Sequence, residues 1–344
     1  MIYNDAIILG IESSCDETAA AVVSESRGIL SNVVYSQLAE HRPFSGVVPE
    51  IAARAHLERM PSVVARAVAE AEIDQTAISA VAAACGPGLI GSVTVGATFA
   101  KAMAIAWSAP FIAVNHIEAH ALCARLTDTV DFPYLLLLIS GGHCQICLVH
   151  SVTKFEILGK TLDDSPGEAL DKVAKMLSLE YPGGPLIEKL SANGDPKRFR
   201  LPRPLYDSKN SDFSFSGLKT AVRRLLEKQE VLFNEQDKAD LCASFQRTLS
   251  EILCHKVNAA IEICKSRNID LKTFVASGGV AANKVIREDL ERLCGCRELT
   301  FSSPPIHLCT DNGAMIAWNA IERFRLGLID RLDFVPRPRW QMGT

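Results

Sequence analysis

The chain has 344 residues, which is more than one comfortable hydrophobic core and predicts two domains or lobes. Hydrophobic residues make up 48% and charged residues 22%, which is enough to bury both lobes and excludes a disordered chain. The formal net charge of −4 excludes a bulk attraction for nucleic acid or acidic membranes. Any RNA contact must therefore come from a local patch or from a partner.

The 11 cysteines are scattered through apolar runs without an export signal, which is typical of reduced thiols in a cytoplasmic protein. The one close pair of C-x-x-C type, Cys144 and Cys147, lies in an apparent strand, where residues three apart face opposite sides of the sheet. A charge-free run over residues 75–100 is interrupted by Gly-Pro-Gly. It is therefore expected to form a strand, a loop and a helix, with no membrane span.

Strand and helix patterns alternate along the chain. Two strand–turn–strand units, at residues 6–23 and 134–150, each open a half of the sequence and predict duplicated lobes. Further strands are predicted over 77–85, 110–114 and 272–279. Helices are predicted over 49–71, 92–107, 167–177, 217–264, 280–293 and 309–324. No flexible linker stands out, so we expect closely joined lobes.

Two histidines follow the strand at 110–114 with helical spacing. Four residues turn a helix through about 400°, so His116 and His120 share one face while Glu118 points away. The pair could chelate a metal, or could be two surface histidines that coincide by chance. Because Ile117 follows the first histidine, the H-E-x-x-H pattern of zinc proteases is absent.

Glycine clusters lie at predicted strand ends, at residues 86–92, 140–143, 182–185 and 277–283. Glycine lets backbone N–H groups approach a ligand closely, so these loops favour a nucleotide or another phosphate ester. Neither the P-loop nor the Rossmann glycine pattern occurs. Acidic candidates near such loops are Asp16, Glu17, Asp171 and Asp311. Asp16 and Glu17 could equally be turn formers, and Asp311 could be only a helix N-cap.

Seven motifs then occur in order over nearly the whole chain: GIESSCDET, NHIEAH, SGGH, GEALDK with YPGGP, FSFSGLKTAV, SGGVAAN and CTDNGAMIA. In this combination the sequence resembles the TsaD family of tRNA N6-adenosine threonylcarbamoyltransferases. The resemblance implies an α/β chain with the two-lobed fold of actin, Hsp70 and the sugar kinases (ASKHA), with duplicated lobes around a central cleft. It implies an N-terminal lobe over residues 1–125, on which a helix at about 311–326 packs back, and a C-terminal lobe over 126–310.

The implied activity is transfer of the threonylcarbamoyl group from L-threonylcarbamoyladenylate to N6 of adenosine-37, in tRNAs that read codons beginning with A, with release of AMP. The implied cofactors are one divalent transition metal per subunit, Fe²⁺ or alternatively Zn²⁺, and the adenylate in the cleft, with ATP or AMP as alternatives. The implied partners are tRNA, a TsaB-like paralogous subunit and a TsaE-like ATPase. The resemblance implies no membrane and a cytoplasmic location.

Matched motif by motif, the resemblance implies that His116, His120 and Asp311 are metal ligands. The acidic pair of the first motif, Asp16 and Glu17, provides our candidates for the general base. The residues that match the family's substrate contacts are Leu138, Ile139, Ser140, Gly141, Gly142, Asp171, Gly184 and Asn283. The departures from the family pattern, such as Ala119 where glycine is frequent, replace no ligand-type residue.

Three other functions fit parts of the pattern. An actin-like ATPase or kinase would use acidic residues and phosphate-bound Mg²⁺, whereas two histidines suit a softer metal. A metalloprotease is weakened by the missing motif, and a non-catalytic scaffold of an RNA-modifying assembly would not depend on the metal ligands. Separately, Lys197, Arg198, Arg200 and Arg203 gather around Phe199 and form either a solvated loop or a local patch for tRNA phosphates.

Overall fold

The computed structural model describes residues 5–343 except residues 27, 45, 209 and 229–233. Part of the helical stretch predicted over 217–264, namely residues 229–233, lies outside the described residues. The chain divides into two compact units, one made of Met1–Thr129 with Thr310–Thr344 and the other of Val130–Cys309. Within the described residues, no helix combines the length and the apolar character that a membrane crossing requires.

The first unit contains a five-stranded mixed sheet in the order β3-β2-β1-β4-β5. Its strands are β1 (Ile7–Glu12), β2 (Glu17–Ser24), β3 (Gly28–Ser36), β4 (Ala80–Ala84) and β5 (Phe111–Val114). Its helices are α1 (Leu38–His41), α2 (Pro49–Glu70), α3 (Ile90–Ala106), α4 (His116–Leu122), α5 (Ala124–Thr127) and α12 (Gly313–Arg325), with 3-10 turns at Arg42–Phe44 and Gln75–Ala77. The central strand β1 runs antiparallel to β2 and parallel to β4.

The second unit contains a sheet in the order β10-β9-β6-β7-β8. Its strands are β6 (Tyr134–Ile139), β7 (Cys144–Ser151), β8 (Lys154–Lys160), β9 (Thr273–Ser277) and β10 (Thr300–Ser302). Its helices are α6 (Pro166–Met176), α7 (Gly183–Ser191), α8 (Ser216–Lys228), α9 (Glu235–Ser266), α10 (Lys284–Cys296) and α11 (Ile306–Cys309), with a 3-10 turn at Gly279–Ala282. The central strand β6 runs antiparallel to β7 and parallel to β9.

The two sheets therefore share one topology: an antiparallel meander of three strands followed by two parallel strands on the other side of the first strand. This confirms the predicted duplication. Central strands β1 and β6 are almost wholly buried, because their apolar runs face covering layers on both sides of the sheet.

Three strands were absent from the prediction, namely β3, β8 and β10. The first two are edge strands with many partly exposed residues, so their apolar signal is weak. The third has three residues, which is too short for a period-2 pattern.

Candidate metal centre and nucleotide cavity

Helix α4 begins where the parallel strand β5 ends. Asn115 caps it, since the Asn115 Oδ1 atom accepts hydrogen bonds from the N–H groups of Ile117, at 2.9 Å, and Glu118, at 3.3 Å. The cap places His116 at the first helical position and His120 one turn later. Both histidines are buried, and their rings meet edge to face with centroids 4.7 Å apart.

Asp311, which precedes α12, completes this group. Its Oδ1 lies 3.0 Å from His120 Nε2 and 3.6 Å from His116 Nε2. One potential ligand atom from each of the three residues lies within 4.8 Å of the others. Metal bonds of about 2.0–2.2 Å would place ligand atoms roughly 3–4 Å apart, so the group fits one ion with little movement. Two imidazoles with one carboxylate are a donor set typical of Fe²⁺ or Zn²⁺.

A second layer of side chains orients His116. The Nδ1 atom of His116 lies 2.9 Å from Glu12 Oε2 and 3.1 Å from Ser14 Oγ, so Nε2 faces Asp311. Glu12 is fully buried at the end of β1. Burial lowers the pKa of His116, but the carboxylates of Glu12 and Asp311 outweigh it and raise that pKa to about 9. This negative field also suits a divalent cation.

Glu12 was not among the predicted site residues. Its one sequence signal is a carboxylate that ends an otherwise apolar strand, IILGIE, where burial of a charge requires a partner. That partner is 104 residues away in the sequence. Orienting carboxylates of this kind fix the tautomer and direction of a ligating histidine.

The acidic pair of the first motif lies in the same unit. The turn within the predicted unit at residues 6–23 spans only residues 13–16, because β1 includes Glu12 and β2 begins at Glu17. Burial and the carboxylates of Asp311 and Asp16 raise the pKa of Glu17 well above its ordinary value. Asp16 and Glu17 thus belong to the electrostatic surroundings of the candidate metal centre.

The alternative role of Asp311 as a helix N-cap is wrong. Asn312 caps α12 instead, with its Oδ1 atom accepting a hydrogen bond from Met315 N–H at 3.0 Å. Glu118 points away from the histidines, as the helical spacing predicted, and its Oε1 accepts a hydrogen bond from Gly343 N–H at 2.9 Å.

The second unit holds a cavity of about 1360 Å³, larger than most small-molecule sites. Four of the predicted substrate residues line it: Gly141, Asp171, Gly184 and Asn283. They come from the turn after β6, from α6, from α7 and from the start of α10. Residues separated by more than one hundred positions therefore meet at one wall.

Asp171 and Asn283 also hold this wall in place. Asp171 Oδ1 accepts a hydrogen bond from Gly183 N–H at 2.8 Å, at the start of α7. Burial raises the pKa of Asp171, although hydrogen bonds from the Gly183 and Gly184 N–H groups oppose this. Asn283 caps α10 through Ile286 N–H at 3.1 Å and donates to Gln246 Oε1 at 2.8 Å.

The predicted loop residues differ in what they can offer. Leu138 and Ile139 are fully buried within β6, so they can reach a ligand only through their backbone. Ser140 closes the turn, with its N–H bonded to His143 O at 2.9 Å and its Oγ accepting from His143 N–H at 3.1 Å. Gly141 and Gly142 are exposed at the tip of the turn.

The sequence did not identify the cavity residues Glu188 and Lys189 on α7 or Gln246 on α9. They lie in ordinary helical patterns, and only the packing of α7 against α9 brings them to the cavity. No local signal separates them from surface residues.

The basic stretch at residues 197–203 is partly neutralised within its own unit. Arg198 pairs with Asp237 and with Asp240, and Arg203 pairs with Glu251. Phe199 packs against the hydrophobic core.

Solved structures with low sequence identity share the fold. HypF from T. kodakarensis matches with a TM-score of 0.62 and 14% identity, covering 94% of this chain and 48% of that one. Component A of (R)-2-hydroxyglutaryl-CoA dehydratase from Acidaminococcus fermentans matches with a TM-score of 0.54 and 16% identity, covering 92% and 99%. Both likenesses concern the fold alone, and they confirm the predicted actin and sugar-kinase class.

Closer relatives share most of the sequence. Proteins named tRNA N6-adenosine threonylcarbamoyltransferase from Rhodospirillum rubrum and Brucella anthropi are 54% and 53% identical to this chain. Each alignment covers 97% of this chain, and 94% and 95% of the two relatives. The family model described as TsaD: tRNA N6-adenosine threonylcarbamoyltransferase matches residues 28–318. The chain therefore belongs to the TsaD family of tRNA N6-adenosine threonylcarbamoyltransferases.

Proposed function

We propose that this chain transfers the threonylcarbamoyl group of L-threonylcarbamoyladenylate to N6 of the adenosine that follows the anticodon in tRNA. The observation that carries the proposal is the group of His116, His120 and Asp311, whose ligand atoms lie within 4.8 Å in a chain of the TsaD family. A kinase or ATPase of this fold would instead need acidic side chains around phosphate-bound Mg²⁺.

The reaction forms one bond and breaks another. The N6 nitrogen attacks the carbamoyl carbonyl carbon, the bond from that carbon to the phosphate oxygen breaks, and AMP leaves with the electron pair. The N6 proton passes to a base, for which Asp16 and Glu17 are the candidates because the Glu17 carboxyl interacts electrostatically with the carboxylates of Asp311 and Asp16. An aromatic amine is a weak nucleophile, so orientation and charge stabilisation supply most of the acceleration.

His116, His120 and Asp311 would hold one divalent transition metal, Fe²⁺ or Zn²⁺. When bound, the metal supplies Lewis acidity and a template for donor oxygens. Glu12 and Ser14 keep the His116 ring in the orientation that ligation needs.

The nucleotide part of the donor would bind in the cavity of the second unit. Gly141 and Gly184 present backbone at its wall, and Asp171 and Asn283 fix the starts of α7 and α10, where backbone N–H groups favour anions. The same cavity could take AMP or ATP.

The net charge of −4 makes tight binding of a polyanion by this chain alone unfavourable. We therefore expect tRNA binding and repeated turnover to need further subunits, which the family resemblance gives as a TsaB-like paralogue and a TsaE-like ATPase. The reaction would take place in the cytoplasm, with its tRNA substrate.

Nucleoside mass spectrometry tests the proposal. Depletion of the protein should remove N6-threonylcarbamoyladenosine from tRNA, and expression of the wild-type chain should restore it. The His120→Ala variant should not restore it, whereas His150→Ala, a histidine of β7 in the second unit, should. Unchanged nucleoside levels on depletion would contradict the assigned reaction.

A further inference from the structure

A segment near the C-terminus of the first unit lies directly behind α4, the histidine helix, which carries His116 and His120. We name residues 337–343 the C-terminal strap. Its first contact is with the Gly86–Gly88 loop after β4: Arg337 N–H donates to Cys85 O at 2.7 Å, and Gly88 N–H donates to Pro338 O at 3.2 Å. Gly86 has a φ of +131°, and a Cβ atom there would lie 1.8 Å from Arg337 O. Only glycine allows this approach of backbone to backbone.

The same loop holds His116. Gly86 O accepts a hydrogen bond from His116 N–H at 2.8 Å, at the first position of α4. On the other side of the loop, Leu89 N–H donates to Ser14 O at 2.9 Å, and Ser14 Oγ contacts His116 Nδ1. The strap thus supports a loop that touches both the backbone and, through Ser14, the ring of the first candidate ligand.

The strap also contacts α4 directly, at two positions. Asn115, the cap of α4, donates through Nδ2 to Trp340 O at 3.4 Å and to Gln341 O at 3.3 Å. Gly343 N–H donates to the Oε1 atom of Glu118. The cap and the outward face of the helix are therefore both tied to the strap.

The strap has an anchor of its own that does not involve α4. Trp340 is buried against the core of the first unit, and its ring lies 5.4 Å from that of Phe334. The Arg337 guanidinium lies over both rings, 5.1 Å from the Phe334 centroid and 5.4 Å from the Trp340 centroid. This anchor makes the strap a fixed support.

We propose that the C-terminal strap positions the metal ligands by fixing the start and the register of α4. A helix of seven residues is too short to be stable alone, so its orientation must come from its neighbours. Ligands held in place before the ion arrives bind it more tightly than ligands that must first be ordered. Asn115 and Glu118 are positioning residues in this scheme, and the inference rests on the metal site proposed above.

The test compares variants that remove hydrogen bonds between the strap and α4 with variants that keep them. Asn115→Asp retains an oxygen that caps α4 but replaces the donor to the strap by an acceptor. Glu118→Leu removes the acceptor for Gly343 N–H, whereas Glu118→Gln keeps it. Asn234→Asp makes the same chemical change at the cap of α9, in the second unit, and serves as the matched control.

Zn²⁺ affinity of the full chain, measured by calorimetry, is the main readout, and the absorption spectrum of the Co²⁺-loaded protein reports ligand geometry. We expect Asn115→Asp and Glu118→Leu to weaken Zn²⁺ binding by about 10- to 100-fold, the range for residues that orient metal ligands, and to change the Co²⁺ spectrum. Glu118→Gln and Asn234→Asp should bind like the wild type.

Melting curves identify any variant that does not fold, and Asn115→Asp, which keeps its cap, then carries the test. If Asn115→Asp and Glu118→Leu fold and still show the wild-type Zn²⁺ affinity and Co²⁺ spectrum, the strap proposal is overturned and the metal-site proposal remains. A wild-type chain that binds neither Zn²⁺ nor Co²⁺ would overturn the metal site itself, and the strap proposal with it.

Discussion

The two units have the same sheet topology but different chemistry in the turn of the first hairpin. In the first unit the turn over residues 13–16 lies between Glu12 and Glu17, and its surroundings are rich in carboxylates. In the second unit the turn over residues 140–143 is Ser-Gly-Gly-His. The backbone of Gly141 and Gly142 is exposed, and no atom would lie within 4 Å of a Cβ at either position. The first suits a cation, and the second suits an anionic ligand held by N–H groups.

The parallel half of each sheet differs in the same way. In the first unit β5 leads through Asn115 into the histidine helix, whereas in the second unit the short β10 leads into a loop with two prolines before α11. The sheets position these connections, and functional residues generally lie on such connections. Variants that affect one unit's ligand and leave the other's unchanged would sharpen this comparison.

Loss of a histidine of α4 should have the largest effect. Because His120 would supply one of the three side-chain ligands of the proposed site, His120→Ala should lower metal affinity by more than about 100-fold, the upper range for residues that merely orient ligands. Metal content by mass spectrometry and calorimetric titration measure this, and melting curves should show an intact fold. The same substitution at His150 is the control, and equal metal content in both variants would contradict the assignment.

Glu12→Gln should have the next largest effect. The substitution preserves shape but removes the charge that orients His116, so metal affinity should fall by about 10- to 100-fold. Calorimetry with Zn²⁺ measures the change, and AMP binding by the second unit should be unaffected. If affinity stays at the wild-type value, Glu12 has no role in orientation.

Asp171→Asn should act only on the second unit. A neutral amide oxygen accepts the Gly183 N–H bond less strongly by about 1 kcal/mol, so we expect AMP affinity to fall by roughly fivefold as the wall loosens. Asp164→Asn, which alters a carboxylate paired with Lys172 and Lys219, is the control. Both variants should bind as much metal as the wild type. A loss of metal in Asp171→Asn would contradict the prediction that this substitution acts only on the second unit.

The smallest effect concerns tRNA. Arg198 and Arg203 already pair with carboxylates, so Arg200 is the better probe of the basic stretch. If Arg200 contacts one phosphate, Arg200→Glu should reduce the salt slope of tRNA binding by about 0.7–0.9. Binding is measured at several salt concentrations with the partner subunits present, and Arg331→Glu, at an exposed arginine of the first unit that pairs with Asp333, is the control for the change of charge. An unchanged slope would assign the stretch to structure.

Local features of the sequence predicted some parts of the site well. The spacing of His116 and His120 indicates a shared helix face, and both lie on α4 beside Asp311 in the structure. The sequence leaves two candidates for the cap of α12, because Asp311 and Asn312 are both good cap residues. Only the fold shows Asn312 in the cap and Asp311 against His120.

The alternation of strands and helices, the duplicated hairpins, the histidine spacing and the family follow from the amino-acid sequence, because each depends on local periodicity or on motifs in order. Tertiary structure alone decided that Glu12 orients His116, that Gln246 meets Asn283, and that the strap lies against α4. These contacts join residues 104, 37 and 225 positions apart. No periodic pattern spans such distances, since the packing of buried layers, and not backbone propensity, brings them together.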